Sequence, residues 1–193
     1  MVHRISEDLK MDALRHYRID FGTEYPTFAE KLLILVFSPG LHAVAVYRVG
    51  RCLYVGRRRG RRGLSFLWGL YRGIEFLVRS AYGIFLDYRA EIAGGFYIGH
   101  FGNIFVGPCS IGSGTSIHQQ VRINYPSEGF PPTVIGKQVW VGPHVTVGGG
   151  VSIGDQVTVS AGSVVKSDVS AGGLVAGNPA RLVRHSYDNA ALL

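Results

Sequence analysis

The stretch that decides the fold is IGKQVWVGPHVTVGGGVSIGDQVTVS, residues 135–160. An aliphatic residue followed by a small one recurs in it every six positions, at Ile135, Val141, Val147, Ile153 and Val159. An α-helix has 3.6 residues per turn and would spread such a repeat around its whole surface. A fixed six-residue repeat instead predicts one short strand and one tight turn per unit. Stacked units of this kind form a parallel β-helix with an aliphatic interior.

The segment before this stretch shows the same period with one slip. Two runs of isoleucines are spaced by six, with seven positions between the runs: Ile92, Ile98 and Ile104, then Ile111, Ile117 and Ile123. We therefore expect the slip between Ile104 and Ile111. The chain holds 27 glycines, about twice the usual share, and those that follow the aliphatic residues fit the corners of such a helix. A β-sandwich is the alternative, and it does not explain the fixed period.

The repeat is interrupted at residues 124–133. This segment contains three prolines, and Gly129 stands where an interior aliphatic residue is expected. Proline removes the donor that a strand needs for pairing. We predict a loop extruded from the β-helix, a position at which functional residues are often found. An irregular coil of the β-helix is the alternative.

Residues 1–83 lack the repeat and favour helices. The pattern predicts one helix capped by Thr27 that ends at Ser38, a second helix from Leu41, and a third from about Leu64 to Tyr82. Residues 56–63 form a polar connector in this prediction. The expected organisation is a helical region over 1–83, a β-helix over 84–185 and a tail over 186–193.

The net charge of +7 belongs entirely to the helical region. Residues 1–83 hold 14 Lys and Arg against 7 Asp and Glu, whereas residues 84–193 hold 6 of each. An arginine cluster, residues 57–62, lies in a stretch without any acid between Glu30 and Glu75. The cluster is either a solvated loop or a contact with an anionic membrane surface. No recognised motif for nucleic acid accompanies it, so we expect no nucleic-acid partner.

Composition excludes several classes of protein. A hydrophobic share of 47% is too high for a disordered chain. Cys52 and Cys109 are the only cysteines, which gives no disulfide framework and no zinc-ligand spacing, so no metal is expected. The first 20 residues have no apolar core of a signal peptide, and no apolar stretch is long enough to span a membrane. We expect a cytoplasmic protein, either free or peripheral at the inner membrane surface.

Three groups of residues carry a resemblance to a known family. They are the helical segment PGLHAVAVYR (39–48), the segment GHFGN (99–103), and the closing segments AGSVV (161–165) and AGNPAR (176–181). They resemble the hexapeptide-repeat acyltransferases, above all serine O-acetyltransferase and its relatives in bacterial polysaccharide clusters. The resemblance implies a left-handed β-helix, a homotrimer, acetyl-CoA in the groove between subunits, and a histidine that activates the acceptor hydroxyl.

His100 matches that histidine. A neutral imidazole, with a reference pKa near 6.5, can take the proton of an attacking alcohol. The alternative is a corner histidine bonded to backbone. His118 follows eighteen residues later, about one coil, and is the second candidate. The family's acidic partner of the histidine aligns with Phe85, and we expect Asp87, on the same strand face, in its place. The Phe130 ring could pack on a sugar ring.

For the CoA co-substrate the resemblance implies contacts with Pro143, Ala161, Lys166, Ser167, Arg181 and Arg184. Backbone amides would bind the pantetheine arm, and the basic side chains would meet the phosphates. For each basic residue a solvated surface charge is the alternative. His144 lies in a segment similar to galactoside-type acetyltransferases and is expected to be structural or near the CoA groove.

The acceptor is the open question. The family's Arg-His-Pro segment aligns with residues 130–132, Phe-Pro-Pro, so the cation expected for a serine carboxylate and the second histidine are both missing there. This difference favours an acetyl-CoA-dependent O-acetyltransferase acting on a saccharide or another small alcohol, as in polysaccharide biosynthesis. Serine O-acetylation for cysteine synthesis is the alternative. A non-catalytic β-helix that binds a partner is a third.

Overall fold

The computed structural model describes residues 2–23, 25–60, 62–124 and 129–193, and it confirms a parallel β-helix preceded by helices. Four α-helices come first in the chain: α1 (Val2–Phe21), α2 (Phe28–Phe37), α3 (Pro39–Arg58) and α4 (Ser65–Tyr82). Short 3₁₀ helices lie at Arg62–Leu64 and Ala190–Leu192. The β-helix begins at Ile84, directly after the left-handed residue Gly83 that ends α4.

The described strands form three faces of about five coils. The first face holds β1 (Ile84–Leu86), β4 (Ile104–Val106), β7 (Arg122–Ile123), β10 (Thr146–Val147) and β13 (Val164–Val165). The second face holds β2 (Glu91–Ile92), β5 (Cys109–Ile111), β8 (Thr133–Ile135) and β11 (Ser152–Ile153). The third face holds β3 (Tyr97–Ile98), β6 (Ser116–Ile117), β9 (Trp140–Val141), β12 (Thr158–Val159) and β14 (Leu174–Gly177). A last strand, β15 (Ala180–Arg184), pairs antiparallel with β14.

The predicted aliphatic residues line the interior. On the third face Ile117, Val141 and Val159 are Cα partners in successive coils, and all three are fully buried. Burial of each such side chain stabilises the fold by about 1.5–3 kcal/mol. The repeat therefore supplies both the strand register and most of the core.

The slip in the repeat lies elsewhere than the isoleucine spacing suggests. Val106, and not Ile104, is the Cα partner of Ile123. The step from Ile98 to Val106 is eight residues, whereas the equivalent step from Ile117 to Ile123 is six. Two extra residues thus lie in the corner 99–103, which contains His100, and a shorter step follows between Val106 and Ile111. The first expectation, a slip after Ile104, is wrong.

The helix boundaries agree in part with the prediction. Thr27 caps α2 through a capping box with Glu30, as expected. The next helix begins at Pro39 rather than Leu41, because Ser38 caps it and proline is favourable in the first turn. It continues through Arg58, so part of the predicted connector is helical. No single described helix could cross a membrane by length and hydropathy, although α2 and α3, bent by 77°, would together meet those two criteria.

A buried ion pair joins helices α1 and α3 to the first coil of the β-helix. Asp12 of α1 is fully buried; it accepts from Arg48 of α3 at 3.0 Å and from the backbone N–H of Phe96 at 2.9 Å. The Arg48 guanidinium also donates to the carbonyl oxygens of Ile92 and Ala93. Burial raises the pKa of Asp12, and Arg48 opposes that effect.

Four residues of the predicted loop, 125–128, lie outside the described residues. At its two ends the chain is bonded to neighbouring coils. Asn124 donates to the carbonyl oxygen of Pro108 at 2.6 Å, and the Thr133 hydroxyl donates to the carbonyl oxygen of Gly148 at 2.7 Å.

Candidate active site

The turns from the third face to the first face stack into one column, which we call the histidine corner. It consists of residues 99–103, 118–121, 142–145 and 160–163. His100, His118 and His144 all belong to it, in three successive coils. Backbone hydrogen bonds join the layers: Gln120 donates to Gly102, His144 to Gln119, and Gly162 to Pro143. The repeat therefore brings together side chains that lie far apart in sequence.

The His118 ring is held in one orientation. Its Nδ1 atom lies 2.9 Å from the carbonyl oxygen of Val141, and its ring packs on Trp140 with centroids 4.9 Å apart. Because a carbonyl oxygen only accepts, Nδ1 must carry the proton. In the neutral ring Nε2 is then unprotonated and can accept a proton from a substrate.

Partial burial keeps this ring neutral. Desolvation lowers the pKa of His118 most, the hydrogen bond to Val141 opposes this, and the nearby His100 lowers the pKa further. A lowered pKa means that the base form persists at neutral pH. His118 therefore has the protonation state that a proton acceptor needs.

His100 stands beside it on the surface. It is exposed in the lengthened part of the corner, and Gly99 before it packs directly over the His118 ring. A Cβ atom on Gly99 would lie 2.6 Å from Cδ2 and 3.0 Å from Nε2 of His118. Glycine at this position lets the two histidines approach each other. The predicted pair is thus brought to one place.

Residue 101 links this corner to the helices. The Phe101 ring packs edge-on against Tyr82 of α4, with centroids 6.4 Å apart. The Tyr82 hydroxyl lies 3.1 Å from Nδ1 of His42, whose Nε2 donates to the carbonyl oxygen of Leu35 at 2.7 Å. Nδ1 is therefore the acceptor in the neutral His42 ring, and Tyr82 donates to it. The helical region so supports the loop that carries His100.

Gln119, beside His118, is a residue that sequence reasoning missed. Its Oε1 atom is buried and has no hydrogen-bond partner among the described residues. A buried acceptor without a donor is unfavourable by about 1–3 kcal/mol, which makes Gln119 a candidate for contact with a donor of a substrate. Residue 119 belongs to the same turn as His118, and this position in the eighteen-residue coil could have identified it.

Comparison with known proteins assigns the family. The family model for the bacterial transferase hexapeptide (six repeats) matches residues 132–167, which is the stretch that carries the strict repeat. Residues 132–167 thus carry the hexapeptide repeat of bacterial transferases. The expectation drawn from the sequence motifs is confirmed.

Several relatives of the chain are serine acetyltransferases, and one is galactoside O-acetyltransferase of Escherichia coli, 33% identical over 39% of this chain and 37% of that protein. The chain is 30% identical to serine acetyltransferase 2 of Arabidopsis thaliana over 89% of its own length, but it spans only 51% of that protein. It is 28% identical to serine acetyltransferase of Helicobacter pylori, over 83% of this chain and 90% of that protein. Among solved structures, Neisseria gonorrhoeae serine acetyltransferase in complex with serine has 27% identity and a TM-score of 0.77, over 94% of this chain and 70% of that one.

Two of the predicted site residues lie apart from His100 and His118. Asp87 follows β1 at the corner between the first and second faces, and its carboxylate is paired with Arg89 at 2.7 Å. The structure does not bring Asp87 to His100, because a strand of the first face separates their corners. Phe130 is exposed beside the undescribed residues 125–128, and its packing on a sugar stays a prediction.

The residues expected at CoA fall into two groups. Pro143 and Ala161 lie in the histidine corner, and the exposed Ala161 N–H has no hydrogen-bond partner among the described residues. Ser167 and Arg181 line a cavity of about 220 Å³ at the last coil. Lys166 and Arg184 are exposed beside these residues, and in the described part of the chain no ion pair holds Lys166, Arg181 or Arg184.

A cation for a carboxylate exists on the first face. Arg122 follows the His118 turn directly, on β7, and its side chain is exposed. Its Cα partner in the preceding coil is Phe105, whose ring stacks on Phe85 at 5.3 Å. The expected absence of a basic residue concerned residues 130–132, and Arg122 lies outside that segment. Among the described residues no cluster of His, Cys, Asp and Glu could hold a metal ion.

Proposed function

We propose that this protein transfers the acetyl group of acetyl-CoA to the hydroxyl of serine. The observation that carries the proposal is the exposed His100 beside the His118 ring, whose orientation is fixed and whose Nε2 atom can accept a hydrogen bond. The serine acetyltransferase relatives favour serine over the saccharide that the sequence motifs favoured. Gln119, in the His118 turn, and Arg122, directly after it, are the acceptor and the cation that we assign to the charged groups of serine.

The reaction needs a base that takes a proton and an acid that returns it, and His100 performs both roles in turn. His100 takes the proton of the serine hydroxyl while its oxygen attacks the thioester carbonyl carbon, and a tetrahedral intermediate forms. The C–S bond then breaks, and the protonated imidazole returns the proton to the CoA sulfur. A positioned base of this kind contributes about 10²- to 10⁴-fold in rate. His118, held by Val141, would accept a hydrogen bond from the ammonium group of serine, since the hydroxyl proton goes to His100, and would so fix the position of serine.

Recognition of serine requires partners for two charged groups. The carboxylate would pair with the Arg122 guanidinium, which suits planar two-oxygen contacts. The ammonium group would donate to the buried Oε1 of Gln119. A neutral sugar has hydroxyl donors for Gln119 but no carboxylate for Arg122, so Arg122 is the residue that distinguishes the two acceptors.

Acetyl-CoA would lie along the coils. The unpaired N–H of Ala161, with Pro143 beside it, suits an amide of the pantetheine arm, and Lys166, Ser167, Arg181 and Arg184 suit the phosphates. By resemblance to its family we also propose a homotrimer with the groove between subunits. Light scattering coupled to gel filtration would measure its mass; a monomeric mass would contradict this part of the proposal.

A thiol-release assay with acetyl-CoA tests the acceptor. We expect turnover with free serine, and little with a neutral galactoside or with ethanolamine, which lacks the carboxylate. Arg122→Gln should raise KM for serine by about tenfold or more and leave the weak rate with ethanolamine unchanged. Lys137→Gln, an exposed charge on another corner, is the matched control. Faster turnover of the galactoside than of serine would contradict the proposal.

A further inference from the structure

Helix α4 carries large apolar side chains on a side that is exposed to solvent. Tyr71 and Glu75 face the interior and are buried. A neighbouring side of the helix carries an exposed apolar stripe, which consists of Phe66, Leu67, Leu70, Ile74 and Leu77. At 1.5 Å per residue the stripe is about 16 Å long. Contiguous apolar surface of this kind marks an interaction site.

Helix α2 adds a second apolar surface near the far end of α4. Phe28 and Phe37 are 83% and 74% exposed, and four aliphatic side chains between them are also exposed: Leu32, Leu33, Leu35 and Val36. The end of α2 approaches the end of α4 through His42, which bonds both Leu35 and Tyr82. Both helices leave apolar side chains without a partner.

The cations lie beside the start of the stripe. Arg57 stands 5.0 Å from the centroid of Trp68 on α4, and Arg58 and Arg59 follow it, both exposed. This contact and the His42–Tyr82 bond show that α3 and α4 run antiparallel, so the end of α3 meets the beginning of α4. Residues 31–74 contain nine Lys and Arg and no Asp or Glu.

We propose that the α2 and α4 surface docks on an anionic lipid bilayer. Exposed apolar side chains, with arginines at the nearby end of α3, suit the boundary between acyl chains and negatively charged headgroups. A second copy of this chain suits the surface less well. A symmetric contact would bring the same acid-free cationic segments of two copies together. The docking is independent of the proposed acetyl transfer.

Flotation with vesicles tests the proposal. The unmodified chain should float with vesicles of phosphatidylcholine and phosphatidylglycerol, not with phosphatidylcholine alone, and added salt should weaken the binding. Arg58→Gln with Arg59→Gln should weaken partitioning by about 30-fold. Leu70→Gln with Leu77→Gln should weaken it by at least about 100-fold. Lys10→Gln with Lys137→Gln, and Val134→Gln on the second face, are the matched charge and apolar controls.

Sedimentation velocity on the same proteins separates the bilayer from a second copy. We expect all variants to keep the oligomeric size and the unfolding midpoint of the unmodified chain. Binding that does not depend on phosphatidylglycerol, or that the controls lose equally, would overturn the proposal. So would a smaller oligomer for the leucine variant, because the stripe would then be a contact between subunits.

Discussion

The Nδ1 atom of His118 lies 2.9 Å from the carbonyl oxygen of Val141 in the next coil. This contact fixes which ring nitrogen carries the proton, because the carbonyl cannot donate. The β-helix register places Val141 against Ile117, the residue before His118. The tautomer of a candidate catalytic residue is therefore set by the same repeat that builds the core.

The first prediction concerns the titration of His118. Its pKa should lie below the reference value of 6.5, and Nε2 should be the unprotonated nitrogen, as nitrogen chemical shifts would report. Because the pKa is lower in the folded state than in the unfolded chain, stability should fall as the pH drops below about 6.5. His100→Gln removes a neighbouring charge, so the pKa of His118 should rise. A neutral ring protonated at Nε2 would contradict this account.

Substitution of Gly99 by alanine should impair activity, because the added side chain would meet the His118 ring. In Gly99→Ala the Cβ would approach Cδ2 of His118 to 2.6 Å, which the ring, held by Val141 and Trp140, cannot relieve without turning. We expect kcat to fall by about 100-fold, as for a misplaced catalytic group, with a small change in the unfolding midpoint. Gly69→Ala, where nothing lies within 4 Å, is the control and should keep full activity. Equal activity of both variants would rule out the contact as functional.

Substitution of Gln119 distinguishes a role in substrate binding from a role in the stability of the fold. Gln119→Leu removes a buried acceptor that has no donor among the described residues, so stability should stay the same or rise. The KM for serine should nevertheless increase by about tenfold, since a lost hydrogen bond to a charged group is worth about 1.5–3 kcal/mol. Denaturant unfolding and steady-state kinetics measure the two effects. A large loss of stability with an unchanged KM would show that Gln119 serves the fold.

The Asp12–Arg48 pair should be required for docking of the helices on the β-helix. Asp12→Asn removes the counter-charge that lies 3.0 Å from the buried Arg48 and leaves Asp8, at 3.8 Å, so it should cost about 3 kcal/mol in the free energy of unfolding. The exposed pair of Arg51 and Glu91 is the comparison; Glu91→Gln should cost less than about 1 kcal/mol. Similar losses in the two variants would contradict the buried role of Asp12.

The fold followed from the sequence because a six-residue period leaves little choice. The repeat of residues 135–160 assigns each aliphatic residue to the interior of the β-helix, and all of them are buried there. The slip was misplaced because Ile104 and Val106 are both aliphatic and both buried, so the pattern fits either one. Strand pairing with Ile123 decides between them, and the sequence does not contain that information directly.

The helical region and the site depended more on tertiary contacts. Asp12 and Arg48 are polar residues whose burial becomes favourable only when they meet, so α1 gave no clear pattern. Asp87 was expected beside His100 from strand alternation, but alternation gives the face and not the corner. Gln119 and Arg122 lie one and four residues after His118, but neither belongs to a motif, so no sequence pattern assigned them a role.

The central claim is that His100 is the base for acetyl transfer to serine. Steady-state release of the CoA thiol by His100→Gln, with acetyl-CoA and serine, tests it most directly. The account predicts that kcat falls by about 10²- to 10⁴-fold, while acetyl-CoA affinity and the unfolding midpoint match those of the unmodified chain. A kcat within about twofold of the unmodified chain, at unchanged pH dependence, would contradict it.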